Sequence, residues 1–321
     1  MKFVIAGGSG QLGTLLARAR SRAGDEVVVL SRTPAAAPWR VVAWDARTVG
    51  PWAAELDGAD AVVNLAGRSV NCRYTPSNRR AIVDSRVESA QAIRDAIAQA
   101  ARPPALWLQM STATVYAHRY DAPNDEATGI VGGAEPGAPE TWRFSIEVVR
   151  AWEQVVDEAV LPRTRTAKLR SAIVMSPEPG GPFDVLLRLV RFGLGGSSGD
   201  GRQMVSWIHG ADFVRAIDHV VRDDALSGAV NLAAPNPLPN AEFMRDLRQA
   251  WGIPFGLPAP GPMLELGARV LGTESELVLK SRYVVPGKLA ASGFAFDFPL
   301  WDAAARDLCE RWRRARRGTA A

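Results

Sequence analysis

The run KFVIA at residues 2–6 passes without a break into GGSGQLG, and a helix-like segment starts at Gln11. Few folds put a buried strand directly against a helix through glycines at i, i+3 and i+6. Gly7 supplies the tight turn, Gly10 leaves the backbone bare where an anion can approach, and Gly13 lets the helix lie close on the strand. The anion expected there is the pyrophosphate of a dinucleotide, with Gly7, Gly10, Gln11, Leu12 and Gly13 as its contacts. Alone the pattern is weak; its place at the first strand–helix junction of an alternating chain gives it weight.

That alternation runs through the first 175 residues. Segments 2–7, 26–31, 39–44, 60–67, 105–111 and 165–175 read as strands, and 11–23, 78–100 and 142–160 as helices. Strands alternating with helices imply βαβ units, hence an α/β fold with a doubly wound parallel Rossmann sheet. Near residue 176 the rhythm changes at Pro177, Pro179, Gly180, Gly181 and Pro182, followed by the glycine-rich stretch GLGGSSGDGRQ. SWIHGADFVRAIDHVV (206–221) and GAVNLAAP (228–235) read as a return to the sheet. The expected division is a nucleotide-binding domain at 1–175 with 204–234 returning to it, and a smaller C-terminal substrate lobe made of 176–203 and 235–321.

Composition excludes several functions. The chain has 321 residues, 34 of them Arg and 4 Lys, with acidic residues interspersed and a net charge of +4, so no nucleic-acid footprint is expected. The basic ending RWRRARRGTAA reads as a solvated, frayed helix end. No apolar stretch approaches the roughly 18 residues that span a bilayer, so no membrane partner is expected. MKFVIAGG carries no cleavable signal, and Cys72 and Cys309 have no partner pattern, which suits reduced thiols and a cytoplasmic location. The 3 histidines, at 118, 209 and 219, have no carboxylates at ligand spacing, so no metal site is expected.

The end of the second strand selects the dinucleotide. An NAD site places Asp or Glu there for the ribose 2′-hydroxyl; here the residues are Ser31 and Arg32, which suit a 2′-phosphate and predict NADP(H). Asp45 either accepts from the adenine amino group or caps a loop. Asn64–Gly67 (NLAG) ends the fourth strand where backbone passes close to the cofactor, which adds Leu65, Ala66 and Gly67. Arg86 either points back to the phosphates or forms a surface ion pair.

With these motifs placed, the sequence resembles the extended short-chain dehydrogenase/reductases. More narrowly, it is similar to their atypical, NAD-dependent epimerase-like subfamily, which carries its own C-terminal domain of unknown function. GGSGQLG, LSR, NLAG, DSRVES, STATVYA and the Trp152-Glu153 pair carry the resemblance. So do the GDGRQ…SWIH block, NLAAPNPLPNAEF and the ending VVPGKLAASGFAFDFP. The resemblance implies NADP(H) and a small substrate lobe, and no substrate is established for the subfamily. In the wider superfamily a segment like STATVYA supplies the catalytic hydroxyl, which by position is Thr112, with Ser111 beside it. The superfamily's Tyr-x-x-x-Lys pair would sit at Ser145 and Val149. It has not moved elsewhere: four residues after Tyr74, Tyr116, Tyr120 and Tyr283 stand Asn78, Tyr120, Asn124 and Gly287.

Losing a general acid/base typically removes about 10²–10⁴ in rate. Tyr116, His118, Glu147 and His209 with Asp212 are candidate replacements, although a core tyrosine, solvated surface groups and a structural His209 beside an N-cap aspartate explain them as well. On the substrate side the flexible 193–201 loop is flanked by Arg188, Arg191 and Arg202. An arginine fork suits phosphate or carboxylate, so Arg202, Gln203 and His209 are the expected contacts of an anionic small molecule, with Arg188 and Arg191 on a solvated helix face. Three functions fit: a slow or selective oxidoreductase, a non-catalytic NADPH-binding sensor or scaffold, and a sugar-nucleotide epimerase.

Overall fold

The computed structural model describes residues 1–272 and 274–318. Its central sheet is built from β1 (Lys2–Ala6), β2 (Glu26–Ser31), β3 (Arg40–Ala43), β4 (Ala61–Asn64), β5 (Leu106–Thr112), β6 (Arg165–Ser171) and, later in the chain, β10 (Gly228–Leu232), in the order β10-β6-β5-β4-β1-β2-β3. β1 runs parallel to both β2 and β4, β2 to β3, and β4 to β5. Every residue of β4 and all but the first of β2 are buried, as expected of parallel strands covered on both faces. The strand order reverses at β1, between β2 and β4, and the crevice beyond the carboxyl ends of such strands is where ligands bind in open α/β sheets.

Three helices connect these strands: α1 (Gln11–Arg22), α2 (Pro76–Gln99) and α3 (Glu140–Asp157). α2 starts two residues earlier than its apolar periodicity indicates, because Thr75 caps it by accepting from the Asn78 N–H at 3.3 Å and Pro76 fills the first turn. The expected single strand 165–175 is two. β6 ends at Ser171, and β7 (Ile173–Met175) leaves the sheet to pair in parallel with β9 (Trp207–His209). SWIH therefore does not rejoin the central sheet. What rejoins it is β10, after α5 (Gly210–Arg222).

By internal packing the chain forms two compact units, 1–115 with 144–170 and 214–230, and 116–143 with 171–213 and 231–321. The second contains α4 (Pro182–Arg191), the short pair β8 (Met204–Val205) and β11 (Leu238–Pro239), α6 (Asn240–Trp251), α7 (Gly261–Leu271), α8 (Glu276–Leu279), α9 (Gly287–Ala291) and α10 (Trp301–Gly318). Its core joins Met175, Phe183, Leu187, Trp207, Phe243 and Trp301, with Phe243 stacked on Trp301 at 3.9 Å. No helix among the described residues is long and apolar enough to cross a membrane. The last three residues of the basic ending lie outside the described residues.

Candidate functional site

Gly7 has φ +72° and donates its N–H to the carbonyl of Leu30 at 3.0 Å. A Cβ on it would lie 2.8 Å from the backbone of Ala66, so the ends of β1 and β4 touch only because the residue is glycine. At Gly13 the same atom would lie 2.3 Å from Gly8 Cα, which is how α1 lies flush on the turn. Gly10, by contrast, has a single neighbour at 3.4 Å and caps α1 with no side-chain hydrogen bond. That combination leaves an open cradle at a helix N-terminus, where first-turn amides such as those of Leu12 and Gly13 and the helix dipole favour an anion. A pyrophosphate fits it. The sequence pattern missed Gly8, whose Cβ would meet Val29 at 2.7 Å. Gly7→Ala is expected to lower stability by about 1–3 kcal/mol and to abolish dinucleotide binding, read by urea titration and calorimetry.

At the end of β2, Ser31 is buried; its hydroxyl donates to Ser9 Oγ at 3.2 Å and accepts the Thr33 N–H at 3.2 Å. Arg32 is exposed, and its guanidinium has no hydrogen-bond or ion-pair partner among the described residues. Its two chain neighbours line a cavity of about 530 Å³, walled by Ser9, Ser31, Thr33, Arg18, Arg22 and Trp39, with no acidic residue in its lining. Asp45 caps its own turn. Its carboxylate accepts from the N–H groups of Arg47 and Thr48, both at 2.9 Å, and from the Thr48 hydroxyl at 2.5 Å; the hydroxyl bond foremost, with the two amides, holds its pKa at about 2.

Under the β4 turn, Asn64 is fully buried. Its Oδ1 accepts the Ala66 N–H at 3.0 Å, and its Nδ2 donates to Gln109 Oε1 at 3.0 Å and Ser89 Oγ at 3.4 Å, fixing Leu65–Gly67 against the glycine turn. Among the described residues Arg86 forms no ion pair. It is half-buried on α2, donates to the Ile82 carbonyl at 3.0 Å and lies 5.2 Å from the centre of the Trp152 ring, and burial brings its guanidinium down to about 10.

At the end of β5, the buried Ser111 hydroxyl donates to Glu153 Oε1 at 2.6 Å. Glu153, buried on α3, receives a two-pronged contact from Arg170 at 2.9 and 2.7 Å and has Lys168 Nζ at 3.6 Å; Lys168 also holds Asp157 at 2.5 Å. Burial pushes the Glu153 carboxyl up, but the hydrogen bonds and charge of Arg170, with Ser111 and Lys168, leave it below the usual carboxylate range. Sequence reasoning missed Arg170 and Lys168. The available signal was two basic residues at alternate positions of a buried strand, which put both on one face. Thr112 is half-buried; its hydroxyl donates to Thr114 Oγ1 and accepts the Thr114 N–H, both at 3.2 Å. Ser145 and Val149 lie on α3, Ser145 half-buried and Val149 buried.

In the second unit, the Tyr116 hydroxyl donates to Asn231 Oδ1 at 2.9 Å from a buried ring. His209 is buried and stacked on Phe298 at 3.9 Å; its Nδ1 accepts the Ala211 N–H at 3.0 Å and its Nε2 faces Asp307 at 3.1 Å. Asp212 accepts the N–H groups of Asp297 and Phe298, both at 2.9 Å. Gln203 is buried and donates to the carbonyls of Ser198 (2.9 Å) and Val278 (3.2 Å). Arg202 is exposed, Arg188 pairs with Asp184 at 2.9 Å, and Arg191 lies over Trp312 at 4.8 Å. Glu147 is exposed. No group of three or more metal-ligating side chains occurs among the described residues.

A family model described as the NAD dependent epimerase/dehydratase family matches residues 3–233. The chain belongs to that family. A second model, a domain of unknown function designated DUF1731, matches residues 259–308. Among relatives of this family member, the bovine epimerase family protein SDR39U1 is 32% identical over 315 residues, covering 96% of this chain and 99% of that one. The crystal structure of human SDR39U1 (isoform 2) with NADPH is 30% identical, with a TM-score of 0.83, covering 97% of this chain and 99% of that one. UDP-N-acetylglucosamine 4-epimerase from Bacillus cereus, 17% identical with a TM-score of 0.73 over 98% of this chain and 99% of its own, shares the fold.

Proposed function

We propose that this family member binds NADPH and carries out slow or selective oxidoreduction of a small anionic molecule without a Tyr-Lys pair. The observation that carries the cofactor choice is Arg32, a guanidinium without a carboxylate partner among the described residues, which follows β2 between Ser31 and Thr33, two residues that line a cavity with hydroxyls and arginines but no acid. NADPH in the human relative's crystal structure supports the same choice. The glycine turn and α1 would hold the pyrophosphate, Ser9 and Arg32 the 2′-phosphate, and Leu65–Gly67 the backbone beyond it. Bound there, the dinucleotide would supply the hydride. Within the first unit Thr112 is the hydroxyl left to orient a substrate oxygen; within the second, Arg202 is the group suited to an anion, with Gln203 fixing the loop around it. His209 contributes through its bond to Asp307.

A second reading, a non-catalytic NADPH-binding sensor, is favoured by Ser111, whose proton is already engaged by Glu153. Purified protein loaded with NADPH and incubated with a metabolite extract separates the two readings: a fall in cofactor absorbance supports the enzyme, and a constant signal the sensor. A variant addresses the vacant pair directly. Ser145→Tyr with Val149→Lys is expected to raise reduction of simple ketones by about 10² or more over the parent. Adding Thr112→Val should remove that gain while NADPH affinity stays unchanged. Brisk parent activity that is insensitive to Thr112→Val would place the chemistry elsewhere.

A further inference from the structure

One serine laces three stretches of the second unit together. Ser281 donates its backbone N–H to His118 Nδ1 at 2.8 Å and its hydroxyl to the Arg119 carbonyl at 2.9 Å, and that hydroxyl accepts the Met204 N–H at 3.0 Å. Arg282 returns a backbone bond to the Met204 carbonyl at 2.8 Å. With the two bonds of the Gln203 side chain, segments 116–120, 198–206 and 276–284 hold fixed positions relative to one another.

This frame carries a ladder of flat groups. The Arg202 guanidinium lies over the Tyr120 ring at 5.7 Å, Tyr120 meets His118 edge-on at 5.0 Å, and His118 lies 4.6 Å from Trp142. Tyr120 keeps 45% of its surface open beside the guanidinium. Several exposed arginines of this chain find carboxylates, as Arg306 does at Asp302, Arg311 at Asp307 and Arg314 at Glu310. Arg202 has none among the described residues: Asp200, two residues away, turns its carboxylate to the backbone N–H of Arg202 at 3.0 Å. His118 accepts at Nδ1, and burial foremost, with the nearby Lys280, lowers its pKa.

We infer that this ladder is a binding site for an aromatic anion, a flat unsaturated ring bearing phosphate or carboxylate. The ring stacks on Tyr120 while the anion takes the open edge of Arg202. The inference rests on the anionic-ligand reading above and narrows it: an aliphatic anion would use the arginine and leave the exposed ring unoccupied. Stacking on an exposed aromatic ring discriminates by about tenfold or more.

The test is calorimetric titration of phenyl phosphate, ribose 5-phosphate and inorganic phosphate into the whole protein, with and without NADPH. Phenyl phosphate should bind about tenfold or more tighter than the other two. Tyr120→Ala should erase that preference, Tyr120→Phe should keep it, and Arg202→Ala should weaken all three. Equal binding of the three anions, no heat from phenyl phosphate at millimolar concentration, or a preference that survives Tyr120→Ala overturns the inference. NADPH titrated into the same proteins reports the cofactor reading separately: normal NADPH binding with no aromatic preference overturns only this site.

Discussion

Replacing Glu153 with alanine should destabilise the protein by about 3–5 kcal/mol, the cost of leaving buried charges without their partner. Glu153 is the hub of the network behind β5: without it Arg170 loses a two-pronged carboxylate in a site largely shielded from water, and Lys168 is left with Asp157 among the described residues. Glu153→Gln keeps the shape and one acceptor, so it should cost less than the alanine variant. The pH dependence follows from the direction of the shift. The folded carboxyl sits below its unfolded value, so its stabilisation is complete above the ordinary carboxylate range and fades as pH falls through the lowered folded value. Urea titrations of the parent and both variants at neutral and acid pH check this. A loss under about 1 kcal/mol for the alanine variant would show that the charges relax into solvent.

Arg32→Asp should abolish or invert the cofactor preference. The parent is expected to bind NADPH on the order of 10- to 100-fold tighter than NADH, because a charge-assisted hydrogen bond to the 2′-phosphate contributes roughly 1.5–3 kcal/mol. Aspartate there repels the phosphate and offers the 2′-hydroxyl an acceptor. Ser31 should matter less as a ligand than as a brace, since its hydroxyl already joins Ser9 to the Thr33 amide. Equal parental affinities by calorimetry would remove Arg32 from the site.

The fold was legible where burial is local. β2 and β4 are buried almost end to end and read as continuous apolar runs, and the glycine spacing located the turn before α1. The strand break at Ala172 was not legible, because Ile173–Met175 is as apolar as a continuing strand. Its pairing with Trp207–His209, more than thirty residues on, decides where it goes. The candidate site divides in the same way. Backbone features, Gly7, Gly13 and the NLAG turn, follow from residue type and spacing. Long side chains do not: Arg86 ends over Trp152, Asp45 folds back on its own turn, and Glu153 meets Arg170 across a helix and a strand that only tertiary structure brings together.

The matched C-terminal region, residues 259–308, is not a portable module. The second unit is assembled from three stretches of chain, and α10, which starts inside that region, completes a core begun more than a hundred residues earlier. Trp301 donates its indole N–H to the Phe243 carbonyl at 2.8 Å, and Trp312 donates its own to Asp184 at 2.9 Å. Ending the chain at residue 258 would strip Phe183, Trp207 and Phe243 of their cover and leave a soluble-looking fragment prone to aggregate. Grafting the region onto another host would transfer only the Trp301, Ala304, Ala305 and Leu308 part of that core, with its apolar partners left behind. The segment and the stretches at 171–213 and 231–258 therefore fold as one cooperative body, each supplying cover that the others lack.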